Sequence, residues 1–326
     1  MVARMRTLSA RGDVRGALAL AEQIVERFGA TRDDGVQECV AAAIWEQAAS
    51  WRTLDTPDRR SAALAQLIER WGASSNPQLA SYVMQAFYWR AFDLENAGDV
   101  VDAEALYNET LRRARAAQTP SARDVAMHAT LGRARLISWR GLHKDALADL
   151  NRLLEDFTDL IPEHPVWLAD VLTTKMQVMK LAADDAELVT VADELIDRLA
   201  ESTDRAVRLQ VAGALVWKLE SLARLSPGEQ QSRSAIELLV DRFAEEGVEV
   251  LDFEIERVDR ERDPAWQRTI APYLFVRGML LRELGRDDES IDAMRAVIEL
   301  QASSSDTSVA TAVGEARRNL AEWVGQ

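Results

Sequence analysis

One spacing constrains this chain more than any other feature. A basic or amide residue recurs as Arg4, Gln47, Arg90, Arg133, Lys175, Lys218 and Arg277, at steps of 43, 43, 43, 42, 43 and 59 residues. Around it runs a shared order of large, basic, small and large side chains: Phe87, Arg90, Ala91, Leu94, and again Leu274, Arg277, Gly278, Leu281. Looser copies are Ile44-Gln47-Ala48-Trp51, Leu172-Lys175-Met176-Met179 and Leu215-Lys218-Leu219-Leu222. A second marker keeps step, because Phe28 and Trp71 are 43 apart and Phe157 and Phe243 are 86 apart. A unit this short cannot bury its own apolar face, so the interval implies stacked copies whose core lies between neighbours.

Each unit reads as two helices around a turn. Four segments place a Gly five positions before a small residue or a Leu-flanked Ala: Gly12 and Ala17, Gly98 and Ala103, Gly141 and Ala146, Gly285 and Ser290. Gly suits the positive φ that ends one helix, and the small residue lets the next helix approach closely. After the turn, Ala17, Leu20, Ile24, Val25 and Phe28 recur at helical spacing, as do Ala146, Leu147, Leu150, Leu153, Leu154 and Phe157. Polar linkers fall at Gly29–Gly35, Gly72–Pro77, Thr119–Ser121 and Ile161–Pro165, with Asp33, Ser75 and Ser121 as N-cap candidates. The 15 Gly and 8 Pro are few for a chain with many tight β-turns.

The pattern resembles the tetratricopeptide repeat family, in a bacterial variety whose units are longer than the usual length of about 34 residues. The resemblance covers nearly the whole chain. It rests on Ala91, Ala134 and Gly278 in the first helix, Gly98, Gly141 and Gly285 in the turn, and Ala103, Ala146 and Ser290 in the second helix. It implies an all-α, right-handed α-solenoid of about seven antiparallel helix pairs with a ~43-residue period, formed as one domain over residues 1–326. The first helices of the pairs would line a concave face.

Several units depart from the pattern. Longer turns are expected at Asp55–Ser61 and Ser226–Ser234, and the fifth turn, Ala182-Ala183-Asp184-Asp185, lacks Gly. Residues 1–36 read as an abbreviated first repeat, either a cap or the remnant of a longer protein. The 59-residue step places an insertion at 244–263, either functional or a surface elaboration. Within it Val248–Ile255 alternates apolar and polar residues, which fits a prolonged helix or a short strand. Residues 307–326 read as a C-terminal capping helix.

Composition narrows the function. A net charge of −15 and a pI near 4.8 oppose nonspecific attraction to nucleic acid or an anionic membrane. The single cysteine, Cys39, excludes an internal disulfide, fits a reducing cytoplasm, and reads as a buried small hydrophobe among alanines. The N-terminal stretch lacks the apolar core of a secretory signal, and the sequence has no uncharged apolar run of membrane-spanning length. His128, His143 and His164 have no second His or Cys at ligand spacing, and no phosphate loop, nucleophile elbow or dinucleotide fingerprint occurs. No cofactor or metal is expected, and no catalysis.

Charge is partitioned between the helix types. The first helices of the pairs carry +10, which leaves −25 for the rest of the chain. Arg90, Arg133, Lys175, Lys218 and Arg277 fall toward a neighbouring unit and suit interrepeat ion pairs. Residues pointing away from the second helix are the binding candidates: Trp45, Arg52, Tyr88, Phe92, Asn96, His128, Arg135, Trp139, Gln177, Lys180, Arg224, Phe275 and Arg282, with Glu95, Glu220 and Met279 among them. Aromatic and Arg side chains of this kind anchor protein interfaces. The expectation is a scaffold whose basic, aromatic-lined face takes an acidic or extended segment of a partner protein. The alternative is a regulatory sensor array responding to a small anionic or peptide ligand.

Overall fold

The computed structural model describes residues 1–117, 119–156, 164–225, 229–261, 266–300 and 307–324, and among them are fifteen helices and no strand. Two compact units divide the chain, Met1–Leu153 and Leu154–Gln326. In the first, α1 (Val2–Ala10), α3 (Asp34–Thr53), α5 (Pro77–Ala97) and α7 (Pro120–Trp139) are the A helices. They alternate with the B helices α2 (Val14–Phe28), α4 (Pro57–Trp71), α6 (Val100–Ala117) and α8 (His143–Asp156). In the second unit the A helices are α9 (Pro165–Leu181), α11 (Arg205–Leu225) and α13 (Trp266–Glu283), and the B helices are α10 (Asp185–Leu199), α12 (Glu229–Glu261) and α14 (Asp287–Leu300). The last helix, α15 (Thr307–Val324), packs on α13 and α14.

From α1 to α7 each helix packs on the next, and successive A helices also touch; α9 and α11 touch in the same way in the second unit. This explains a difference in composition between the two helix types. An A helix is covered from several directions, so α3 buries Val40, Ala41, Ala43, Ile44, Gln47 and Ala48 around much of its girth. A B helix buries one stripe, as α2 does with Ala17, Ala21 and Ile24. The core is shared between repeats: Ile44, Ala63, Leu67, Trp71, Leu79 and Val83 form one cluster from α3, α4 and α5, the last of which begins the next repeat.

The turn glycines behave as the repeat implies. Gly12, Gly98, Gly141 and Gly285 all have φ between 70° and 82°. Asp55 (φ 52°) and Ala183 (φ 56°) take the same left-handed conformation where Gly is missing. The second turn is therefore short, contrary to the expected long one, because Pro57 already opens α4. At the other expected long turn, residues 226–228 lie outside the described set, and Glu229 opens α12. Asp33 caps α3, with its carboxylate accepting from the Val36 amide at 3.0 Å. Ser75 and Ser121 do not cap. Pro77 and Pro120 hold the first helical positions, so the caps are the residues immediately before them, Asn76 and Thr119.

Cys39 is exposed, not buried. The first helix pair covers α3 at Ala43, which packs with Met5, Ala21 and Ile24, and this cluster does not extend one turn back to Cys39. Phe157, used above as a repeat marker, lies outside the described residues, as do 161–163 of the fourth linker.

The alternating segment Val248–Ile255 is helical. Val248 and Leu251 are buried at helical spacing, whereas Phe253, which a strand would place on the same face as Leu251, is 67% exposed. Phe243 occupies the place where α2 ends at Phe28 and α4 at Trp71, but α12 bends there and continues. Phe243 has non-helical dihedrals (φ −132°, ψ 28°) and is fully buried. Arg208 of α11 supports the bend: it donates to the Arg242 carbonyl at 2.5 Å and to Glu246 Oε1 at 2.6 Å, with its guanidinium 4.8 Å from the Phe243 ring. A side chain inserted at the broken ladder is a physical cause of such a kink.

Candidate functional site

Three of the basic markers, Arg133, Lys218 and Arg277, join an A helix to the B helix before it. Nη1 of Arg133 donates to Asn108 at 3.0 Å, Lys218 pairs with Asp193, and Nε of Arg277 donates to Asp252 at 2.5 Å, each spanning 25 residues. Arg277 keeps this separation despite the insertion, because the lengthened α12 places Asp252 where a regular B helix places its acid. Arg133 also pairs with Asp149 of its own B helix at 2.6 Å.

A second tie runs between B helices. Arg70, Arg113 and Arg242 donate to the carbonyls of Gly29, Gly72 and Ala200, and these three acceptors are the caps that close the preceding B helices or lie at that end. A cation there opposes the negative end of the helix dipole. The same guanidiniums lie over Trp71, Phe87 and Phe243 at 4.6, 4.7 and 5.8 Å.

The A helices carry buried charge. Glu95 of α5 accepts two bonds from Arg135 of α7 and a third from the hydroxyl of Tyr107 at 2.5 Å. In the second unit, Glu220 Oε2 of α11 accepts from Lys180 of α9 and from Tyr273 of α13, both at 2.7 Å, while Arg224 pairs with Glu220 and with Asp185. Burial pushes the Glu220 carboxyl up, but Lys180 and Arg224 together overcome it and hold it at about 2. Burial, with the adjacent carboxylate, raises the hydroxyls of Tyr107 and Tyr273, so both stay protonated donors. Arg135, Lys180 and Arg224 are therefore engaged with internal carboxylates. Arg282 is likewise paired, with Asp287 at 2.8 Å, and lies 5.5 Å from the Trp323 ring.

The aromatic candidates gather around α5 in the first unit. Tyr88 lies 6.0 Å from the His128 ring and 5.1 Å from Trp89, which meets Phe92 at 5.6 Å, while Trp45 faces Tyr82 at 6.4 Å. These residues are half-buried; Arg52 and Asn96 are exposed, and Trp139 is 52% exposed. The Asn96 side chain bonds back along its own helix, donating to the Phe92 carbonyl at 3.0 Å. In the second unit, Gln177 and Phe275 are half-buried, and Phe275 packs against the core shared by α13, α14 and α15.

Sequence reading passed over Trp89 and Arg60. Trp89 is one step from Tyr88 and out of phase with the face that points away from the second helix. Arg60 belongs to a B helix, outside the A-helix face that residue type and spacing single out. Both sit against Arg52: the Arg52 and Arg60 guanidiniums lie 4.5 and 5.0 Å from the Trp89 ring, and Arg60 pairs with Asp93 at 2.9 Å.

Nucleophile chemistry gains no support from the Ser–His contact at the end of α7. Ser138 Oγ and His143 Nδ1 are 2.9 Å apart, but Ser138 is buried at the end of α7 and its hydroxyl does not face solvent. His164 stacks on Trp167 with ring centroids 4.3 Å apart. Among the described residues no cluster of His, Cys, Asp or Glu could hold a metal ion, and no helix is long and apolar enough to cross a membrane.

The helix pairs, the left-handed turns and the ties between repeats define a tetratricopeptide-like helical repeat. No family model matches the chain, and no curated protein does. Among solved structures it is similar to the TPR domain of P58(IPK), at 14% identity and a TM-score of 0.28 over 98% of this chain and 96% of that one. It is also similar to a chain in the structure of Naa15/Naa10 bound to HypK-THB, at 15% identity and a TM-score of 0.27 over 99% of this chain and 56% of that one.

Proposed function

We propose that this chain is a non-catalytic binding scaffold whose A-helix surface takes an acidic or extended segment of a partner protein. One observation carries the reading. In the first unit Trp45, Tyr88, Trp89, Phe92 and His128 are clustered and only half-buried, beside an exposed Arg52 whose side chain makes no ion pair or hydrogen bond among the described residues. Aromatic faces supply contact area at low entropic cost, and a guanidinium adds a fork for carboxylates. The engaged cations Arg135, Lys180 and Arg224 serve the array itself; on this reading they hold the surface in shape instead of gripping the partner.

The test is fluorescence anisotropy of the full chain with a short, amidated, labelled peptide of alternating Glu and Leu, beside its Lys and Leu counterpart. The Glu peptide is expected to bind, more weakly as salt rises, and Phe92→Ala with Trp139→Ala is expected to weaken it about tenfold. Equal binding of both peptides, or binding indifferent to salt and to those substitutions, would overturn the proposal.

A further inference from the structure

Arg52 of α3, Arg60 of α4 and Trp89 of α5 meet at a small cavity that Trp45 and Leu64 also line, with a volume of about 60 Å³. About 10–15 Å³ of such space is enough to hold one water, so the recess has room for a group of a few heavy atoms such as a carboxylate head. Its charge is unbalanced. Two guanidiniums approach the same indole, and the carboxylate that pairs there among the described residues, Asp93, is taken by Nη1 of Arg60. Nη2 of Arg60 is buried and has no hydrogen-bond partner. Burial lowers the Arg60 pKa, Asp93 opposes that and Arg52 adds to it, so an anion placed here would relieve both desolvation and mutual repulsion.

We infer that this recess binds a single carboxylate, which accepts from Nη2 of Arg60 and faces the guanidinium of Arg52, while Trp45 and Trp89 shield it from water. One open donor and one excess positive charge match a monoanion better than a phosphate, which brings more charge and more oxygens than the recess has donors. The inference rests on the acidic-partner reading above and narrows it: the group is an acidic side chain or the chain end of the bound segment. It also explains why a cation sits at the start of α4, where the helix dipole disfavours it.

The experiment follows the indole N–H signals of Trp45 and Trp89 in the full chain, labelled at tryptophan nitrogen and assigned with Trp→Phe variants. The probes are acetylglycine, acetyl-aspartyl diamide, neutral acetylglycinamide, inorganic phosphate, and sodium chloride at matched ionic strength. The two carboxylates are expected to shift both signals saturably, and whichever binds tighter identifies the source as chain end or side chain. Arg60→Met and, separately, the exposed Arg52→Gln should each weaken that binding about tenfold, with helicity by circular dichroism as the check on folding. Signals that stay still, move equally with chloride, or respond more tightly to phosphate would overturn the inference. The Glu–Leu peptide run on the same variants separates the two readings. A peptide that binds wild type and both Arg variants equally sinks the recess and spares the scaffold. A chain that ignores the peptide but binds the small carboxylates keeps the recess and sinks the scaffold.

Discussion

Arg135 grips Glu95 from 40 positions further along the chain, Nε to Oε1 at 2.8 Å and Nη2 to Oε2 at 3.2 Å, joining neighbouring A helices. Lys180 and Glu220 are also 40 apart and also join neighbouring A helices, with the order of charges reversed. The position that carries the acid in one unit of the molecule carries the base in the other. What this register requires is a complementary pair, and either orientation meets the requirement.

Arg135→Met should therefore cost about 3 kcal/mol, because it leaves Glu95 buried with only Tyr107 to satisfy it. The exchange Glu95→Lys with Arg135→Glu should be more stable than either single substitution, though below wild type, since Tyr107 then loses its acceptor. Urea denaturation of the four proteins measures this coupling. A double variant no more stable than the worse single would show that orientation matters after all.

Acid should probe the second cluster. Glu220 is held at about 2 in the folded chain against an ordinary value of 4.5. Its contribution is present in full above the ordinary value and is lost as pH falls toward 2. The shift corresponds to about 3 kcal/mol as an upper figure, since Arg224 is partly exposed to solvent. Glu220→Gln is expected to lower stability at pH 7 and to flatten the dependence of stability on pH between about 4.5 and 2. Parallel acid-unfolding curves for variant and wild type would contradict this.

The turns offer a comparison at constant contacts. A Cβ added at Gly98 meets nothing within 4 Å, so Gly98→Ala tests the left-handed backbone alone. It should destabilise by about 1 kcal/mol, whereas Ala183→Gly should be neutral or stabilising by up to about 1 kcal/mol. Thermal melts settle both signs.

Gly132 is a different kind of glycine. A Cβ there would lie 2.3 Å from Tyr107 Cζ, so the phenol that bonds Glu95 lies across the bare backbone of α7. Although Ala is the better helix former by about 1 kcal/mol, overpacking should win and Gly132→Ala should destabilise by about 2 kcal/mol. Tyr107→Phe keeps the clash and loses the bond to Glu95. A Gly132→Ala protein as stable as wild type would mean that the ring moves freely.

The repeat interval, the helix pairs, the four Gly turns and the cap at Asp33 were all legible in the linear order. Each depends on residues close in sequence, where φ preference and helical spacing act directly. The helical course of Val248–Ile255 was not, because apolar alternation over eight residues is ambiguous until a neighbour covers one face. Nor was the bend at Phe243, which depends on Arg208 arriving from another helix. Asp55 and Ala183 could replace Gly without a local signal, since the helices on either side enforce the left-handed turn.

The candidate surface shows the same division. Residue types alone pointed to Arg and aromatic side chains on the A helices, and Trp45, Arg52, Tyr88, Phe92 and His128 do lie on α3, α5 and α7. Only the packed structure separated Arg52, without an ion pair among the described residues, from Arg135 and Lys180, which are held by buried carboxylates 40 residues away. It also brought Arg60 from a B helix to the same indole. Local sequence determines which helices form and where they turn. Whether a cation is available or already engaged depends on burial and on partners that meet only when the repeats stack.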